Sequence, residues 1–151
     1  MLLHNLNKLF IRDLNRVKNE IEAYQVESNL WLIDQAIKNS GGNLCLHLIG
    51  NLKTFIGVGL SKTDYIRKRD LEFSSKGIPR AELIGQLEET MVVVEASLTN
   101  LSPDQLSANF PIEIWDKPTE MEFTLLHLLT HLNYHLGQIN YHRRMLDKFP
   151  H

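Results

Sequence analysis

The sequence predicts an all-α protein, a four-helix bundle with a short irregular or β excursion before the last helix. Three observations carry this reading. Apolar residues recur at steps of three and four through four long segments, the spacing that gathers them on one helical face. Only one brief stretch alternates like a strand, and no βαβ order is present. The 151 residues, 43% hydrophobic and 23% charged, suit a single domain over 1–151 with a sizeable core.

The first helix is expected from Leu2 to Ala23, with Leu3, Leu6, Phe10, Leu14, Val17 and Ile21 on its buried face. Ser28 to Ile37 adds a short helical turn carrying Trp31. After the turn formers Asn39 to Gly42, Leu44, Leu48, Leu52 and Phe55 mark a second helix, expected to fade at Gly57 to Gly59 because glycine weakens helices. Ser61 to Gly77 is dense in charge and turn residues. It reads as a solvated connection with one helical turn, and its length permits a parallel crossover in place of a tight antiparallel return. Pro79 suits a first helical position, where its missing N–H costs nothing, and Leu83, Leu87, Met91, Val94, Leu98 and Leu101 form the third apolar stripe. The string SPDQ from Ser102 to Gln105 starts a short helix. Between Asn109 and Pro118, Ile112 and Ile114 alternate around Glu113, the β excursion. The last and longest helix is expected from Glu120 to Leu146, along Leu125, Leu128, Leu129, Leu132, Leu136 and Ile139.

Composition excludes several function classes. Sixteen Lys and Arg against eighteen Asp and Glu give a charge of -2, without the basic excess expected of a nucleic acid partner. One cysteine, Cys45, forbids an intramolecular disulfide and any zinc site built on cysteine pairs, and points to a reducing cytoplasm. Its direction on the helical wheel marks it as a small buried residue, neither ligand nor nucleophile. The N-terminal segment lacks the pattern of an export signal, and no apolar run approaches the roughly 18 residues that span a bilayer. No membrane partner is therefore expected.

Histidine is the unusual residue. Of seven, His127, His131, His135 and His142 crowd the last helix. At about 100° per residue they fall, with Gln138, within about 40° of His131, forming a polar stripe that borders the leucine face. His47 on the second helix sits beside its own apolar face in the same rotational sense. The two helices can therefore aim imidazoles at one point. His131 and His135, spaced i and i+4, with His47 from a facing helix make a three-imidazole set that leaves coordination positions open for water or substrate. Each histidine also has an ordinary reading as a surface or hydrogen-bonded core residue. That reading is preferred for His142, as a polar residue at the bundle mouth, and for His127, as an interior histidine bonded to a backbone carbonyl, over its alternatives as a fourth ligand or as a residue supporting the ligands from behind. His4 and His151, near the termini, carry no signal. The Arg67, Lys68, Arg69 run reads as a solvated face, and Trp31 and Trp115 as pocket lining or core.

The string HLLTHLNYHLGQINYHRRML from His127 to Leu146 resembles the last helix of the DinB-like superfamily. NLCLHLIGNL around His47 is similar to that family's metal-bearing second helix, and RDLEFSSKGIPRAELIGQLEET to the entry into its third. The resemblance covers most of the chain. It implies an up-down-down-up bundle, a homodimer, and a divalent metal on His47, His131 and His135. Zinc or nickel comes first for this donor set, then iron or copper. Gln138 is expected to bond a metal-bound water, and Gly137 to admit a neighbouring helix or loop. The family includes enzymes that use low-molecular-weight thiols, so the resemblance implies thiol transfer to an electrophilic small molecule. A metal-dependent hydrolase, and a non-enzymatic metal-stabilised dimer, remain the alternatives; against the hydrolase, no glutamate stands on the histidine stripe.

Overall fold

The computed structural model describes residues 1–149, which are mostly helical with no strand among them; His151 lies outside the described residues. Helix α1 runs from Leu2 to Ala23. Its Leu6, Phe10, Leu14, Val17 and Ile21 are all buried, as their spacing predicts. A 3-10 turn at Glu27–Trp31 leads to α2, which opens at Gly41 with the Asn43 N–H donating to the Ser40 hydroxyl at 3.1 Å. Trp31 packs flat on Gly42, where a Cβ would come within 2.7 Å of its ring.

The second helix does not fade at the glycines. Gly41–Leu52 is α-helical, Lys53–Val58 is wound as a π-helix, and Gly59–Ser61 resumes the α form before Lys62 turns left-handed at φ 54°. Packing outweighs propensity here. A Cβ on Gly57 would lie 3.0 Å from Val93, and one on Gly59 3.3 Å from both Ile112 and Phe110, so small residues let neighbours close on the helix. The resulting Gly41–Ser61 helix reaches a mean hydropathy of 1.3 and is long enough to cross a membrane, contrary to the reading of separate apolar runs. Most of that window is buried in the bundle, so its hydropathy is that of a core helix.

The connection that follows carries the short helix α3, Arg69–Ser74, and then α4 runs from Arg80 to Thr99 with Pro79 as its cap instead of its first residue. Ser102 and Gln105 form the expected capping box around the 3-10 turn Pro103–Ser107. The β excursion reduces to one isolated bridge, Asn109 with Glu120. Helix α5 then spans Met121–Leu146.

Side-chain contacts fix the topology. Asn7 near the start of α1 reaches Thr99 at the end of α4 at 3.2 Å, and Arg80 at the start of α4 reaches the Tyr24 carbonyl at 2.7 Å, so these helices are antiparallel. Lys53 meets Glu89 at 2.9 Å and Ser61 meets Ser97 at 2.6 Å, which makes α2 and α4 parallel. Asn133 bonds Asp13, and Asn140 bonds Glu20 at 2.7 Å, so α1 and α5 are parallel as well. The order is up-down-down-up around a leucine-rich core, with α3 laid across α2. Gly137 has no atom within 4 Å of an added Cβ, so it admits no close neighbour, contrary to expectation.

Candidate metal centre

Helices α2 and α5 run antiparallel and bring His47, His131 and His135 together. The Nε2 atoms of His47 and His135 each lie 3.1 Å from Nε2 of His131. An ion bonded to imidazole nitrogens at about 2.1 Å separates two of them by about 3.0 Å at a right angle and about 3.4 Å in a tetrahedron. Both spacings to His131 fall inside that interval, and the three ligand atoms all lie within 4.8 Å of one another.

The opposite ring edges explain why the nitrogens present lone pairs inward. His47 Nδ1–H donates to Glu72 Oε1 at 3.1 Å, and His135 Nδ1–H donates to Gln138 Oε1 at 2.7 Å. A neutral imidazole carries one ring proton, so both Nε2 atoms are then bare acceptors facing the same third nitrogen. One proton on His131 satisfies only one of them. A cation in the middle satisfies all three, and the residues present fit a divalent ion on that ground.

Glu72 was invisible to helical periodicity. It arrives from α3, is 6% exposed, and accepts two bonds from Arg67 at 2.8 and 2.9 Å. Arg67 therefore leaves the solvated run in which sequence reading placed it. Asn43 holds α3 in place by donating to the Glu72 and Ser75 carbonyls at 2.9 and 2.8 Å. Gly50, three residues after His47, supplies the gap: a Cβ there would overlap the Glu72 carboxylate. That glycine is the one sequence signal that bears on Glu72, and it does not name its partner.

A family model described as a protein of unknown function, DUF1572, matches residues 3–149. The chain belongs to the DUF1572 family. No curated protein matches it.

In this DUF1572 protein the remaining candidates divide. His127 stays outside the nitrogen cluster; its ring packs edge-on to Trp115 at 4.7 Å and lies 6.4 Å from the His131 ring. Gln138 serves His135 directly, where the expectation was a metal-bound water. His142 is interior, not at a mouth: its Nε2–H donates to the Leu32 carbonyl at 2.8 Å and its Nδ1 accepts from the Tyr24 hydroxyl at 2.6 Å. His4 lies on the α1 surface. Cys45 is fully buried and its thiol is pushed up to about 12 by desolvation, so it is inert at neutral pH, as expected.

Burial lowers the pKa of His47, His135 and His142, and takes His131 down to about 4 with help from the neighbouring imidazoles. All four rings are thus neutral in the fold at physiological pH, the form that binds metal. Below the ordinary value of 6.5 the unfolded chain takes up protons that the folded chain refuses, so stability is full above that pH and is lost as pH falls toward about 4. Melts of metal-free DUF1572 protein should show this decline; a melting temperature flat from about pH 7 to about 4.5 would contradict the buried neutral histidines.

Proposed function

We propose that the protein binds one divalent ion on Nε2 of His47, His131 and His135 and activates a low-molecular-weight thiol for transfer to an electrophilic small molecule. The carrying observation is the convergence of three nitrogens, two of them with their outer N–H committed to Glu72 and Gln138. An ion held by three imidazoles keeps open positions and, when bound there, favours the deprotonated, nucleophilic form of a thiol. The chain's own residues set the conditions for that chemistry. Glu72 and Gln138 hold two rings in the tautomer that presents Nε2, and Cys45 is too deeply buried to supply the sulfur. Beside His127 opens a cleft of about 840 Å³ with Trp115 and Phe123 on its wall, suited to a flat apolar electrophile. Glu72 is held by Arg67 as well as His47, so it is not a free base, which favours thiol transfer over hydrolysis.

The DinB-like resemblance supports the same reading and extends it to a homodimer acting on small molecules; the single cysteine, the charge of -2 and the buried α2 support a cytoplasmic protein without nucleic acid or membrane as partner. Sedimentation analysis tests the dimer. For the reaction, the metal-loaded protein is mixed with a chlorodinitroarene and each thiol its host makes, and conjugate is followed by absorbance. Metal-dependent conjugation with one thiol is expected, and its loss in His47→Ala. Bound metal with no conjugation for any thiol would overturn the transferase and leave the metal-stabilised bundle.

A further inference from the structure

Two of the three outer ring nitrogens have partners, and the third does not. His131 Nδ1 is buried without a hydrogen bond. Metal-binding histidines almost always donate that second N–H to a carboxylate, carbonyl or water, which fixes the tautomer and orients the ring. Asn51 supplies the complementary orphan: it is 8% exposed, and its buried Oδ1 also has no partner.

Position links the two. Asn51 follows His47 by four residues, on the same face of α2 and about 6 Å further along its axis. Because α2 is antiparallel to α5, that step leads from the level where His47 meets His131 toward His127. A buried donor and a buried acceptor, each costly when unpaired, thus lie on facing helices about one turn apart along the bundle axis. Thr54 carries a third buried orphan, its hydroxyl, but sits nearly another turn along, past the triad.

We propose that Asn51 is the positioning residue of His131, its side-chain carbonyl accepting His131 Nδ1–H after a rotation of the amide or through one bridging water. Asn51 does not touch the ion. It completes a set in which each imidazole has its own acceptor: Glu72 for His47, Gln138 for His135, Asn51 for His131. The inference rests on the metal-site reading above.

The test uses zinc as the probe, because it imposes no geometry of its own. Zinc affinity is measured against a competing chelator for the full chain and for Asn51→Leu, Asn51→Asp and Thr54→Val, and the His131 Nδ1–H proton is followed by NMR in the zinc-loaded protein. Asn51→Leu should weaken zinc by about 10–100-fold, Asn51→Asp should recover it to within a few fold, and Thr54→Val should leave it unchanged. Without zinc, Asn51→Leu should melt no lower than the parent, since the buried Oδ1 it removes has no partner. The His131 proton should be protected from exchange in the parent and exposed in Asn51→Leu. Unchanged zinc affinity in Asn51→Leu, no recovery in Asn51→Asp, or an exposed His131 proton in the parent would each overturn the assignment. Should Asn51→Leu not fold, the parent's proton signal and Asn51→Asp still decide. A parent that binds no zinc fails the metal reading itself, a separate outcome.

Discussion

His131→Ala should reduce bound divalent metal from about one ion per chain to background, with affinity falling by more than about 100-fold. His131 contributes the nitrogen that both other ligand nitrogens face at 3.1 Å, so its removal leaves His47 and His135 as a pair without their common neighbour. Two measurements check this. Elemental analysis of protein prepared without a metal-affinity tag reads stoichiometry. Melting with and without added ion reads linkage, because a ligand at about 1,000 times its Kd stabilises the fold by about 4 kcal/mol, and that increment should vanish in the variant. His127→Ala should keep both the ion and the increment, since its ring lies outside the cluster. His142→Ala should keep the ion yet melt lower, by about 2–3 kcal/mol, because it strands the buried Tyr24 hydroxyl and the Leu32 carbonyl. If His131→Ala still binds one ion per chain, the centre is elsewhere.

The parts of this arrangement that sequence displays are those repeated along one helix. The leucine stripes set the four long helices because a period near 3.6 is a local property, and His131 with His135 emerged from the same period. His47 needed one more step, the rotational sense of a second helix. Glu72 and Arg67 had no such signal. They belong to a charged, aperiodic segment whose position depends on Asn43 and on the gap at Gly50, contacts made only in the folded chain. The persistence of α2 past Gly57 and Gly59 has the same origin: glycine propensity is worth about 1 kcal/mol per residue, less than the packing of Val93, Ile112 and Phe110 that those glycines permit. His142 is the opposite case, a histidine in register with the ligands that its distance along the helix excludes from the ion. It shares the wheel position of the ligands, but at the far end of α5 it meets Tyr24 and the Leu32 carbonyl instead of α2's histidine.

Gly50→Ala should destabilise the protein by about 2–4 kcal/mol, a drop of roughly 5–15 °C in Tm, although alanine is the better helix former by about 1 kcal/mol. The added methyl overlaps the Glu72 carboxylate, which cannot retreat freely: Arg67 holds both its oxygens and Asn43 holds the backbone behind it. Either α3 shifts off α2 or the carboxylate rotates away and leaves a half-buried guanidinium unpaired, a break that costs about 3–5 kcal/mol when complete. Both responses also remove the acceptor from His47 Nδ1, so metal affinity should fall by about 10–100-fold in the same variant. Gly137→Ala provides the control, since no atom lies near its added Cβ; it should gain about 0.5–1 kcal/mol and bind metal as the parent does. Glu72→Gln separates the two consequences of Gly50→Ala. It keeps the shape and an acceptor for His47 but removes the charge that Arg67 pairs with, so it should lose stability while its metal affinity falls less than that of Gly50→Ala. Were Gly50→Ala to stabilise the protein as Gly137→Ala does, Glu72 would not be seated against α2, and its hold on His47 would fall with it.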